Sequence, residues 1–366
     1  MAFGSDQVLE ALKRVVHPET RKNIVDAGMV EGLRIEGNEI YFALRFQRPN
    51  DPFLPSIKKA CVSAIKTQLG PEAKIEGNIG TIVPERQEEL QVLPGVKNII
   101  AVASGKGGVG KSTVAVNLAV GLHKQGHSVG LIDADVYGPS VPKMFGMEGE
   151  RPQARVEDGK EWILPVEKHG IKMLSVGFFV NPEDALVWRG PMATNALKQL
   201  INQGEWGELE YLVIDLPPGT GDVHLTMVQE VPVTGAIIVS TPQEVALADA
   251  VKGISMFTGD KINVPVLGLV ENMAWFTPEE LPDNKYYIFG REGCKKLADR
   301  MGIDLLGQIP LVQGICESGD QGKPAALDHT HPTGKAFLEL ADSVVKAVVK
   351  RNKDLGPTRK VDIHTK

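Results

Sequence analysis

A glycine-rich stretch near the middle of the first half constrains this chain more than anything else in it. Residues 98–103 read as a buried strand. Gly105-Lys106-Gly107-Gly108-Val109-Gly110-Lys111-Ser112-Thr113 follows at once, and residues 114–125 continue with apolar positions at helical spacing. This satisfies G-x-x-x-x-G-K-[ST] in the strand-before, helix-after context that gives the pattern its meaning. The glycines are needed because main-chain N–H groups must turn inward around phosphate oxygens, where a β-carbon would obstruct. The helix N-terminus adds a favourable dipole for the same anion. Here Lys111 is expected to reach the β- and γ-phosphates and the Ser112 hydroxyl to coordinate Mg²⁺. Lys106, a second lysine inside the loop, is either a solvated cation or one aimed at phosphate oxygens.

Carboxylates stand where such a loop needs them. Asp133-Ala134-Asp135 follows the strand 129–132, close to the loop edge of a sheet, and suits a metal-bound water and an attacking water; a carboxylate there can also simply cap the next turn. Asp215 ends the apolar strand 211–215, the place of a metal-side aspartate. It precedes Leu216-Pro217-Pro218-Gly219-Thr220-Gly221-Asp222, whose glycines suit a loop that orders with a triphosphate and relaxes after hydrolysis.

The rest of the chain frames that motif. With 366 residues, two domains are expected rather than one. A helix over the first apolar positions, a hairpin at 30–35 and 40–46, a helix at 55–69 and a strand at 73–78 predict a small α+β domain over residues 1–80. Residues 81–97 carry Pro84, Pro94, Gly95 and a charged run, the composition of a linker. Over 98–350 apolar strands (98–103, 129–133, 211–215, 235–240, 264–270, 305–309) alternate with amphipathic helices. That pattern predicts an α/β fold of the P-loop NTPase kind, a mainly parallel sheet flanked by helices, with a charged tail at 351–366.

A formal net charge of −6 disfavours a general nucleic-acid binder. No apolar run reaches the roughly 18 residues that span a bilayer, no leader is visible at the N-terminus, and Cys61, Cys294 and Cys316 lie too far apart for a disulfide framework. A cytoplasmic protein is expected. Val344, Val345, Val348 and Val349 among lysines raise the alternative of a membrane-binding helix; without Trp, Phe or Leu among them, a helix packed on the sheet is the expectation.

These residues carry a resemblance. The loop 105–113 resembles the deviant phosphate loop of the MinD, ParA and nitrogenase-reductase superfamily. Residues 133–140, Trp188-Arg189-Gly190-Pro191-Met192 and 215–222 narrow it to the Mrp/ApbC iron-sulfur cluster carrier branch. The N-terminal unit resembles the small iron-sulfur assembly accessory domain that precedes the ATPase in bacterial members. The resemblance implies an ATP-dependent homodimer that holds a cluster at the subunit interface and passes it to apoprotein clients alongside iron-sulfur assembly proteins. It implies that Lys106 reaches the partner's nucleotide, that Asp135 positions the hydrolytic water and that Asn272 contacts the adenine.

One departure from that family is plain. Its C-x-x-C, expected between the Asn-Met segment and the following Phe-Gly, is missing: residues 274–290 contain no cysteine. The cluster ligands are therefore open, with Cys294, read at a helix start that lowers its pKa, and Cys316 as substitutes, two per chain and four per dimer. Cys61 reads as core. Two alternatives stay in view: a MinD- or ParA-like partitioning switch, and a nucleotide-switched assembly factor that carries no cluster.

Overall fold

The computed structural model describes residues 3–18, 20–46, 53–82, 92–179, 190–260, 262–278, 280, 281, 284–356, 358, 360 and 361. They fall in two compact units, Met1–Gln91 and Val92–Lys366.

In the first unit the elements are α1 (Ser5–Leu12), β1 (Val30–Glu36), β2 (Glu39–Arg45), α2 (Leu54–Leu69) and β3 (Ile79–Ile82). β2 is central, antiparallel to β1 and parallel to β3. Its alternation puts Ile40, Phe42 and Leu44 on the face that the helices cover, where they meet Val8, Leu12, Ile57, Cys61 and Ile65. The strand expected at 73–78 is displaced to 79–82. Lys74 makes one bridge to Glu39, Gly77 then turns the chain at φ +85°, and pairing resumes only at Ile79. Ala73 and Ile75 go to the core instead.

The second unit runs β4 (Val96–Ala103), α3 (Lys111–Lys124), β5 (Val129–Asp133), α4 (Val141–Met144), β6 (Gln153–Glu157), β7 (Lys160–Leu164), β8 (Val166–Lys168), β9 (Ile171–Ser175), α5 (Gly190–Gln203), β10 (Leu209–Asp215), α6 (Asp222–Glu230), β11 (Gly235–Ser240), α7 (Glu244–Thr258), β12 (Val266–Glu271), α8 (Gly293–Met301), β13 (Leu305–Gln308), α9 (Gln313–Asp320) and α10 (Pro332–Asp354). Its main sheet has the order β13-β12-β11-β4-β10-β5-β9-β8, parallel except for the edge strand β8. Successive residues of β4 feed two cores: Ile99, Ala101 and Ala103 on one face, Ile100 and Val102 on the other. A strand buried on both faces has no polar side, so its sequence is a continuous apolar run.

β4 begins two residues inside the stretch read as linker, and α10 runs four residues into the stretch read as tail. Strands β6 to β9 had no counterpart in the sequence reading. The chain winds one way from β4 to β5 and the other way from β10 to β11, so the reversal falls beside β4, where open α/β sheets bind ligands.

α10 lies on α3 and β13. Val344 and Val348 are buried against them, whereas Val349 is 61% exposed. Phe337, wholly buried on the same helix, anchors it. Phe337→Ala is expected to cost about 3–5 kcal/mol in guanidinium unfolding, and Val349→Ser less than about 0.5 kcal/mol; equal effects would contradict this packing.

Candidate functional site

The site is assembled by strand register. On β10, Asp215 is the register partner of Val102 on β4 and of Asp133 on β5, and Asp133 in turn pairs with Ser175 on β9. Three polar side chains thus stand abreast at the carboxyl edge of the sheet, each closing an apolar strand. The phosphate loop leaves the same edge from β4. Lys111 is the first residue of α3, after Gly110 in the left-handed conformation at φ +80°.

Lys111 is buried and faces inward. Its Nζ donates to Asp215 Oδ1 at 2.6 Å, lies 3.3 Å from Ser112 Oγ and stands 3.8 Å from Asp135 Oδ2. Asp133 is fully committed to the protein. Its Oδ1 accepts from the Asp135 N–H at 3.2 Å; its Oδ2 accepts from the Val141 N–H at 3.2 Å and the Ser175 hydroxyl at 2.9 Å. Burial, and then the neighbouring Asp215 carboxylate, push the Asp133 carboxyl up to about 7 against those hydrogen bonds. Burial also raises the Asp135 carboxyl, with Lys111 opposing.

Asp215 Oδ2 is buried with no hydrogen-bond partner among the described residues, an orphaned acceptor that suits a hard cation beside the Ser112 hydroxyl. Asp215 therefore has a buried oxygen to offer, Asp135 stands at the cleft wall, and Asp133 acts as a hub for the loop that follows β5. Among the described residues no group of three or more His, Cys, Asp or Glu side chains is arranged to hold a metal by itself. Mg²⁺ would accordingly enter with nucleotide phosphates supplying further oxygens, as it commonly does.

Two glycines are required by close approach. A β-carbon on Gly105 would stand 2.2 Å from the Asp249 carbonyl group of α7, and one on Gly110 would stand 2.2 Å from Asn272 Nδ2. Asn272, expected at the adenine, sits under the loop and donates one of its two amide N–H groups to the Val109 carbonyl at 2.8 Å, which helps to hold the loop. Ser104, which the sequence reading passed over, does likewise by donating to the Lys106 carbonyl. A cleft of about 230 Å³ opens over the loop, with Lys106, Lys111, Ser112, Asp135 and Pro218 in its wall. Gly107, Gly108 and Thr113 line it too. Lys106 is half-buried, and no carboxylate among the described side chains pairs with it.

The cysteines divide differently from expectation. Cys294 does follow the first residue of α8, but it is wholly buried in the core, its N–H donating to Glu271 Oε2 at 2.6 Å. Burial first, and then the Glu271 carboxylate, push its thiol upward rather than down. Cys61 is also buried, its thiol raised to about 12. Cys316 lies on α9, its side chain outside the described residues, as are Trp188 and Arg189 of the family segment.

Fold and site together define a nucleotide-binding P-loop NTPase of the MinD/ParA kind. The family model for NUBPL iron-transfer P-loop NTPases matches residues 95–345, and one described as iron-sulfur cluster assembly protein matches residues 5–76. The chain belongs to the NUBPL iron-transfer P-loop NTPase family. Among its relatives, the iron-sulfur cluster carrier protein of Synechocystis is 43% identical over 94% of this chain and 98% of its own length. The iron-sulfur cluster transfer protein NUBPL of Dictyostelium discoideum is 48% identical over 84% of this chain and 93% of its own. A nucleotide-binding protein from Archaeoglobus fulgidus, solved with ADP, aligns at TM-score 0.56 and 38% identity over 68% of this chain and 94% of that one. MinD of Pyrococcus furiosus, at 23% identity and TM-score 0.50 over 68% of this chain and 98% of that one, shares the fold.

Thiolates react and thiols scarcely do, so iodoacetamide at pH 8 should leave Cys61 and Cys294 unmodified in the folded chain and label both in guanidinium. Rapid native labelling of Cys294 in peptide mapping would contradict the burial described.

Proposed function

We propose that the chain is a homodimeric, ATP-hydrolysing carrier that binds an iron-sulfur cluster and hands it to apoprotein clients, turning over slowly and in a switch-like way in the cytoplasm. One observation carries the nucleotide half: Lys111 is held by Asp215 at 2.6 Å beneath a glycine cradle, with Asp215 Oδ2 still unpartnered. The cargo half is supported by the relatives, which are named as cluster carriers.

On binding, Lys111 exchanges the Asp215 carboxylate for β- and γ-phosphate oxygens, and the loop amides take the remaining charge. Ser112 and Asp215 would hold Mg²⁺, which offsets phosphate charge when bound. Asp135, at the cleft wall, orients the attacking water. Lys106, with no carboxylate paired to it among the described side chains, is placed to reach the nucleotide of the second copy, which makes the dimer the hydrolytic unit. Burial of Val344 and Val348 on the sheet takes away the apolar face that a membrane-seated partitioning switch would use.

A second reading, an assembly factor that carries no cluster, is favoured by one observation: C-x-x-C is missing and Cys294 is sealed in the core. Cys316 is then the remaining candidate thiol, one per chain, so a cluster would need further ligands from a client or a small molecule.

The purified chain should hydrolyse ATP at roughly 10⁻⁴ to 10⁻² s⁻¹ and lose that activity as Lys111→Ala; turnover of tens per second would contradict the switch. Lys106→Ala mixed with Lys111→Ala should regain activity through mixed dimers, and unaltered activity on mixing would remove the cross-dimer role. After anaerobic reconstitution, iron and sulfide should be retained in Cys294→Ser and lost in Cys316→Ser. An unmodified chain that takes up neither iron nor sulfide would favour the cluster-free reading.

A further inference from the structure

His224 has no part in the scheme above, yet it is buried in a way that ordinary packing does not explain. It is 1% exposed, and among the described residues neither ring nitrogen has a hydrogen-bond partner. A buried donor and a buried acceptor left unpaired cost stability that a leucine at the same place would not, so a role for them is to be sought.

The surroundings point to that role. His224 is the third residue of α6, and its N–H closes onto the Gly221 carbonyl at 3.1 Å. Its ring stands beside Pro217 and Gly221 of the loop 216–221. The carbonyls of Pro217 and Gly221 are near enough to favour a protonated ring, without reaching hydrogen-bond geometry. Burial, and then Lys111, outweigh them and hold the imidazole down at about 4, so it stays neutral with one donor and one acceptor.

The loop is tied to the nucleotide site elsewhere. The Leu216 N–H bonds the Val102 carbonyl of β4 at 3.0 Å, and the Gly219 N–H bonds the Ser104 carbonyl at the start of the phosphate loop at 2.9 Å. Pro217 and Pro218 have no N–H, and Pro218 lines the cleft. Thr220 and Gly221 carry the remaining N–H groups of the loop. A pin on the carbonyls at its two ends fixes the direction of the amides between them.

We propose that His224 is a positioning residue for the loop 216–221. Its imidazole donates to the Pro217 or Gly221 carbonyl when the loop closes on a bound nucleoside triphosphate, and so holds the Thr220 and Gly221 amides toward the γ-phosphate. This rests on the ATP-hydrolysing reading above. It also makes the histidine indifferent to a diphosphate, which offers the loop nothing to close on.

The test uses the full chain with Mg²⁺. His224→Phe keeps an aromatic ring and removes both hydrogen-bonding groups; His224→Gln keeps one donor and one acceptor. ADP affinity by calorimetry should be unchanged in both. In His224→Phe, kcat should fall about tenfold, the worth of one hydrogen bond in the transition state, with KM little altered and partial recovery in His224→Gln. In the unmodified chain labelled with [¹⁵N]histidine, the His224 imidazole resonance, assigned by its loss in His224→Gln, should move with a non-hydrolysable ATP analogue and stay in place with ADP. That measurement decides the matter even where His224→Phe folds poorly. A resonance identical in the two nucleotides, or a folded His224→Phe with unaltered kcat, overturns the role of His224 and leaves the ATPase standing. An unmodified chain that neither binds nor hydrolyses ATP overturns both.

Discussion

The interaction on which the site depends is the buried pair between Lys111 and Asp215. A single ammonium answers three carboxylates, with Asp215 at 2.6 Å, Asp135 at 3.8 Å and Asp133 close enough to feel it. Breaking a buried pair by removing one partner costs about 3–5 kcal/mol, so Lys111 leaves only when a stronger set of anions replaces Asp215. Triphosphate oxygens are such a set. The carboxylates left behind, short of positive charge, then favour a divalent cation. On the proposed function, exchange of partners by one lysine would link nucleotide binding, metal entry and the loop that starts at Asp215.

The sheet makes this exchange possible. Parallel pairing brings the last residues of β10, β5 and β9 into one row, and the same edge launches the phosphate loop from β4. Because the strands are buried on both faces, the row is dry behind and open only toward the cleft. Asp133 spends both oxygens on Asp135, Val141 and Ser175, which keeps the path from β5 to α4 rigid and leaves Asp135 at the cleft wall.

The sequence was informative where chemistry and geometry are both local. The phosphate loop is continuous in the chain, so its strand, glycines, lysine and helix could be read together, and Asp133 and Asp215 announced themselves as charges closing apolar runs. Ser175 closes a strand in the same way, but a serine carries no such signal, and its register with Asp133 depends on a strand order that no spacing reveals. β6 and β7 left no signal because β6 is exposed along its whole length and β7 half so, leaving no apolar alternation to see; β9, though buried, is only five residues long with Lys172 inside it. Cys294 was placed correctly at the head of a helix, but reading a lowered pKa from that position ignored burial, which dominates and acts in the opposite direction. His224 carries no signal in the sequence, and only three-dimensional burial makes it unusual.

The partner exchange by Lys111 can be examined directly with Asp215→Asn, which keeps the side-chain shape and removes the charge that pins the lysine. Calorimetric titration of ATP in the presence of EDTA should give tighter binding to Asp215→Asn than to the unmodified chain, and added Mg²⁺ should strengthen binding to the unmodified chain alone. Weaker binding of ATP by the variant in EDTA, or an equal gain from Mg²⁺ in both, would contradict the account.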